Sequence, residues 1–251
     1  MNTNHKILFI TLLMIFSLTI FAVEKRWSLD IETGPVFASS NTIQVPNPGG
    51  TRFSLSDAFD IDSKIYYRIR LNFLLGKRHQ LSALFAPLTL KADGAPDREL
   101  RFQDTTFPPG ETVNALYRFN SYRLTYRYLL LDKKKLQLWL GFTAKIRDAK
   151  ILLSSQGYED DTSNVGFVPL LNLVLDWGFG SKMGLLFEVD ALAAPGGQGR
   201  AEDVSLSFYH NLGKNTRLRM GYRFIEGGAD VEEVYNFAFL NYIYAAIHIR
   251  F

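Results

Sequence analysis

Along most of this chain, side chains alternate in character with a period of two. The stretch from Asn236 to Phe251, NFAFLNYIYAAIHIRF, shows it most plainly. Phe237, Phe239, Asn241, Ile243, Ala245, Ile247, Ile249 and Phe251 fall on one face, apolar to its end. Ala238, Leu240, Tyr242, Tyr244, Ala246, His248 and Arg250 fall on the other, which turns polar. That period belongs to an extended strand, whose successive side chains point to opposite sides. Nine earlier segments read the same way. Trp27 to Phe37 sets Leu29 and Ile31 against Asp30 and Glu32. Lys64 to Leu75 sets Ile65, Tyr67, Ile69 and Leu71 against Tyr66, Arg68, Arg70 and Asn72. His79 to Lys91 is blurred (LSALFAPLTL), and Pro87 predicts a lost ladder bond with a bulge or bend. Thr112 to Leu131 alternates Leu124, Tyr126 and Tyr128 with Arg123, Thr125 and Arg127. Further strands centre on Leu138–Ile146, Phe167–Trp177, Leu185–Ala191, Val204–Phe208 and Leu218–Phe224.

Ten strands are thus predicted, all β, with connections that alternate between long and tight. The long ones are Ala38–Asp62, Ala92–Glu111, the acidic Gln156–Asn164, the Pro/Gly stretch PGGQGR, and Gly227–Val234. The tight ones hold Gly76-Lys77-Arg78, Asp132 to Lys135, Gly180-Ser181-Lys182 and Gly213-Lys214-Asn215. Such alternation, with an even strand number, is the pattern of an up-and-down transmembrane β-barrel. Charge at every second position points the same way. A buried charge is costly unless paired, and a barrel puts the apolar face in lipid and the charged face in the lumen. A soluble β-sandwich is the competing fold; it would turn the apolar faces into one core.

The predicted luminal set is basic: Arg68, Arg70, Arg123, Arg127, Lys145, Arg147, Arg217, Arg219, Arg223 and Arg250, against Asp30, Glu32, Asp176, Glu188 and Asp190. Barrels of ~8 strands are filled by their own side chains, whereas ~16–18 leave a channel. Ten strands predict a salt-bridged, largely filled lumen; the alternative is a narrow anion-preferring pore. A second candidate cluster, Asp148, Arg200, Glu202, Asp203, Glu226 and Asp230, is predicted at the rim of the long-connection end. It would form ion pairs or grip phosphates, Arg and Lys being suited to that.

The amino terminus, MNTNHKILFITLLMIFSLTIFAVEKRW, carries Lys6, an apolar run from Ile7 to Ile20, and Ala22 before a plausible cut. Residues 1–22 read as a cleaved secretory signal peptide, leaving 23–251 as the barrel; an uncleaved anchor is the alternative. The 251 residues contain no Cys, which excludes disulfides and thiolate metal sites. Aromatics reach 14%, enough for interfacial girdles, while mean hydropathy is only −0.02. A net charge of +3 with no basic stripe gives no reason to expect a nucleic-acid partner.

The ending on Phe251 resembles the terminal strand of Gram-negative outer-membrane barrels. The resemblance implies outer-membrane localisation, contact with outer-membrane lipid and lipopolysaccharide, and recognition of Phe251 by the barrel-assembly machinery. RFNSYRLTYRY, TAKIRDAKI, VGFVPLLN and GYRFIEGGAD resemble a group of bacterial barrel proteins of about ten strands, a resemblance that implies no activity. Ten is also the strand count of the omptin proteases. Acid–base or nucleophilic chemistry needs His near Ser or carboxylate. Beyond the signal only His79, His210 and His248 are present, all predicted at the tight-turn end, and no G-x-S-x-G motif occurs. Nor does Glu159-Asp160-Asp161 have the spacing of a calcium loop. No catalytic residue, metal or cofactor is assigned. The expected role is a structural or surface-interaction barrel, a monomer because closure satisfies every edge; a channel is second, and a lipid-modifying or proteolytic enzyme third.

Overall fold

The computed structural model describes residues 25–194 and 198–251. The signal-peptide segment 1–22 lies outside the described residues. Ten antiparallel strands form one ring: β1 (Trp27–Gln44), β2 (Lys64–Leu75), β3 (His79–Ala86, resumed at Thr89–Gly94), β4 (Val113–Lys133), β5 (Leu136–Ser155), β6 (Tyr158–Gly178), β7 (Met183–Ala193), β8 (Gly199–Asn211), β9 (Thr216–Val231) and β10 (Val234–Arg250). Each pairs with its neighbours in sequence. The ring shuts where β1 pairs with β10, Ser28 opposite Arg250 through to Gln44 opposite Tyr235. Two backbone bonds finish the seam, Phe251 N–H to Trp27 O at 2.9 Å and Trp27 N–H to Phe251 O at 3.2 Å.

The outward face is apolar. Ile65, Leu124, Phe142, Met220 and Ile243 all stand exposed on it. Aromatics cluster at both margins: Trp27–Phe73 and Trp177–Phe179–Phe208 near the short turns, Tyr67–Phe85–Tyr122 and Phe224–Phe239 toward the far end. An exposed apolar band between two aromatic girdles is the lipid-facing surface of a membrane barrel.

Three readings of the chain are corrected. First, β1 does not end at Phe37 but continues to Gln44. Its register with β10 shifts between Ala38 and Ser40. That bulge exchanges the faces, so Glu32 and Val36 point inward before it and Asn41 and Ile43 after it. Second, Gln156–Asn164 and Gly227–Val234 are mostly strand. β5 and β6 pair up to Ser155 opposite Tyr158, and β9 and β10 up to Val231 opposite Val234. Water, not lipid, surrounds these ends, so polar residues are compatible with strand there. Above Leu171, β6 pairs with β5 alone among the described residues. Third, Pro87 interrupts the β3 ladder without a bulge, since Ala86 opposite Ser121 and Thr89 opposite Arg118 keep equal spacing.

The first long connection folds inward. It carries a short helix, α1 (Leu55–Ala58), and meets a small hairpin, Leu100–Phe102 with Thr105–Phe107, from the β3–β4 connection. Thr51 N–H bonds Arg101 O at 2.8 Å, and Gln103 N–H bonds Val45 O at 3.0 Å. Phe53, Leu55, Phe59, Leu100, Phe102 and Phe107 are buried against luminal Tyr66, Leu90, Tyr117, Leu153, Leu240 and Tyr242. The outer part of the lumen is therefore an apolar core. This is why β3 looked blurred: Leu88 and Leu90 face the plug and Leu84 the lumen below it, while Leu81 and Phe85 face out.

Depth in the bilayer sets the cost of a misplaced charge. Phe142 is 67% exposed near the middle of the outward band, and Leu212 is 57% exposed in a short turn at its margin. Phe142→Arg should lower unfolding free energy by about 2–4 kcal/mol and Leu212→Arg by about 0–1 kcal/mol. Urea titration of barrels folded into phospholipid vesicles measures both; equal losses would contradict this placement of the band.

Candidate functional site: a charged lumen open at one end

Below the plug, strand parity brings five carboxylates and five guanidiniums into one buried layer. Glu32 from β1 receives Arg223 in a two-pronged contact, Nε at 3.1 Å and Nη2 at 3.0 Å, and the Tyr66 hydroxyl at 2.8 Å. Asp203 from β8 holds Arg68 at 2.9 Å and Arg123 at 2.7 Å, and also bonds Arg223. Glu188 from β7 meets Arg70 at 2.5 Å and Arg219 at 3.3 Å. Asp30 takes Arg219 at 2.7 Å, Asn72 at 2.9 Å and His248 at 3.1 Å. Asp190 takes Arg123, Thr143 and Asn172 within 2.8 Å. Paired and hydrogen-bonded in this way, charges are tolerable away from bulk water. The links cross the lumen: Arg223 on β9 reaches β1 and β8 together, so the layer cross-braces the barrel as well as filling it.

Toward the short turns the lumen widens into a cavity of about 600 Å³. Turn residues Ser181, Lys182 and Asn211 to Thr216 form its mouth, and Asp30, Arg70, Glu188 and Arg219 its floor. Trp139, Val174 and Leu186 supply an apolar wall. Asp176, predicted for the lumen, sits here with Arg217 at 2.7 Å and the Tyr209 hydroxyl at 2.7 Å. Gly184 makes room for that tyrosine, since a Cβ there would fall 2.3 Å from its ring.

The structure brings Arg68, Arg70, Arg123, Glu188, Asp190, Arg219 and Arg223 together as the luminal layer. Arg127 and Lys145 are buried too, at 6% and 2% exposure, yet neither has a carboxylate within ion-pair distance among the described residues. Lys145 lies over the Phe119 ring at 4.8 Å. Arg147 stands higher, bonded to Asn164 at 2.7 Å.

The rim cluster does not hold together. Asp203 belongs to the buried layer, because odd-numbered positions of β8 (Asp203, Ser205, Ser207, Tyr209) face inward. Proximity in sequence to Arg200 and Glu202 hid this; alternation with Ser205 and Ser207 was the available signal. Arg200 and Glu226 pair with each other at the surface, with Arg200 5.1 Å above the Phe237 ring. Asp148 pairs with Arg118 at 2.9 Å and Asn120 at 2.9 Å. Asp230 accepts from Asn47 at 2.8 Å, and Glu202 lies opposite Glu226 in the ladder. The predicted luminal set counted charges alone; Tyr66, Asn72, Thr143 and Asn172, on the same polar faces, complete the carboxylates' bonding.

The three histidines among the described residues lie toward the short-turn end. His79 bonds the Tyr126 hydroxyl at 2.7 Å in the outward girdle; His210 is opposite Met183; His248 alone enters the lumen. Among the described residues, no group of three His, Asp or Glu is placed to hold a metal.

The sequence matches no protein-family model and no curated protein. Solved structures do match in shape. The outer membrane protease OmpT from Escherichia coli aligns with a TM-score of 0.50, covering 90% of this chain and 97% of OmpT at 12% identity. The fold is that of the Gram-negative outer-membrane β-barrels. The translocator domain of autotransporter NalP from Neisseria meningitidis also aligns, at TM-score 0.43, 10% identity and 98% and 96% coverage. So does Ail, the attachment invasion locus protein of Yersinia pestis, at TM-score 0.41, 8% identity and 90% and 99% coverage. At such identities the likeness is one of fold. With its lipid-facing band, the barrel is an outer-membrane protein. Its tall hairpins point outward, and its short turns, termini and cavity mouth face the periplasm.

The luminal layer and the surface pair should differ sharply in worth. Arg223→Met removes the two-pronged partner of buried Glu32, leaving it only Tyr66 and a distant Arg68, and one of the three arginines on Asp203; it should cost about 3–5 kcal/mol. Arg200→Ala breaks a half-exposed pair and should cost about 0–1 kcal/mol. Reversible urea unfolding in vesicles checks both values, and a near-neutral Arg223→Met would contradict a bracing role.

Proposed function

We propose that this chain is a non-conducting outer-membrane barrel with a structural or surface-interaction role. The observation that carries the reading is the stacking of two seals. The apolar plug of Phe53, Leu55, Phe102 and Phe107 closes the outer lumen, and the Glu32–Arg223–Asp203 layer lies beneath it. An ion would have to cross an apolar region and then part buried ion pairs; both steps are costly.

The outward surface supports the proposed partners. Arg118, Lys150 and Arg200 stand on strand positions above the outer aromatic girdle, suited to lipopolysaccharide phosphates through charge-assisted bonds. The exposed Phe251 ring ends the seam strand, where the barrel-assembly machinery would read it. The ten strands close into one ring, so the chain needs no second copy to complete the sheet.

The competing reading is a narrow anion-preferring channel, favoured by the unpaired buried cations Arg127 and Lys145. Planar-bilayer recording on verified folded barrels separates the two. The expected outcome is no steady conductance. A stable unitary conductance with an anion-selective reversal potential would establish the channel instead.

A further inference from the structure

We propose that the periplasmic cavity is a binding site for a small organic anion, with Arg127 gripping its carboxylate or phosphate head and Trp139, Val174 and Leu186 receiving its apolar body. Three independent observations converge on it. Arg127 lines the cavity, is 6% exposed, makes no hydrogen bond or ion pair among the described residues, and has a buried, unpartnered Nε. A guanidinium keeps its charge at any ordinary pH, and its fork of N–H donors matches a carboxylate or phosphate. The neighbouring Arg70 cannot share its burden; it is already committed to Glu188 at 2.5 Å and carries the same charge. Arg127 is thus a buried cation that, among the described residues, feels Glu188, Asp190 and Asp30 only from beyond ion-pair distance, with no anion in contact.

The second observation is the cavity's electrostatics. Lys182, Lys214 and Arg250 stand at the mouth with no carboxylate within ion-pair distance among the described residues. The acidic groups lining it are Asp30, Asp176 and Glu188, and each is held by Arg219, Arg217 or Arg70. Free cations at the mouth and a free cation in the depth draw an anion inward from the periplasm. The third is the division of the walls. β5, β6 and β7 contribute Trp139, Val174 and Leu186, while Gln80 and Gln137 flank with amide donors. A pocket of about 600 Å³ with one apolar wall and convergent donors has the build of a small-molecule site. Gly141, opposite Arg127 in the ladder, lets the two strands approach closely; a Cβ there would fall 1.9 Å from the Tyr126 carbonyl oxygen.

The site does not depend on the lumen being closed, and binding is read separately from conductance. Calorimetric titration of the folded full-length barrel with benzoate, phenyl phosphate and inorganic phosphate is the test, repeated on Arg127→Gln and on Arg223→Met as a stability control. Benzoate or phenyl phosphate should bind, and Arg127→Gln should weaken binding about tenfold or more, as loss of a charge-assisted contact does. Because Arg127 braces nothing, Arg127→Gln should unfold at the wild-type urea midpoint or above it, unlike Arg223→Met. The proposal is overturned if neither organic anion binds, if Arg127→Gln binds equally well, or if Arg127→Gln is destabilised like Arg223→Met. Inorganic phosphate binding as tightly as phenyl phosphate would remove the role of the apolar wall.

Discussion

Lipid offers no hydrogen bonds. Every backbone N–H and C=O within the apolar band must find a partner in the chain itself, and a sheet achieves this only by meeting its own beginning. Here the meeting is the β1–β10 seam, finished by the reciprocal bonds between Trp27 and Phe251. Closure then decides the rest. It creates an inside that water reaches poorly, forces alternate side chains into it, and demands that charges placed there neutralise one another. Asp30, Glu32, Glu188, Asp190 and Asp203, drawn from three separate parts of the chain, do so with Arg68, Arg70, Arg123, Arg219 and Arg223.

The lumen has three zones with different chemistry: an apolar cap built from loops, a charged layer built from strands, and a wet vestibule beside the short turns. Each zone follows from what surrounds it. The cap needs residues that exclude water, and the loops deliver Phe53, Phe102 and Phe107. The middle layer spans the barrel, so its long arginines reach from strand to strand. The vestibule meets the periplasm, and there Arg127 has no carboxylate within ion-pair distance among the described residues.

Much of this was legible in the chain. The two faces of β10 and the set Arg68, Arg123, Arg219 and Arg223 followed from period-two alternation alone. Asp203 did not, because Glu202 and Asp203 are adjacent on β8 and only parity tells rim from lumen. The continuation of β1 was hidden by the bulge at Ser39, which moves the inward face from even to odd positions. The tall hairpins were hidden by composition, because an acidic stretch such as Glu159 to Asp161 reads as loop when the strand has left the lipid. The inward fold of residues 45–63 depends on contacts with a hairpin more than 40 residues later. Local pattern carries no trace of such contacts.

Beyond Leu171, β6 runs on with β5 as its sole ladder partner among the described residues, carrying exposed Val165 and Phe167 and the imino acid Pro169. Among the described residues its other edge carries no ladder. The molecule is therefore not uniformly held. Amide protons within the closed ring can leave only when the whole barrel opens, whereas those along this free edge are released by local fraying. The boundary between the two exchange regimes falls where β6 parts from β7. The slowest clock of the protein thus runs only as far as the closed ring, and the tall β5–β6 hairpin beyond it runs on a faster one.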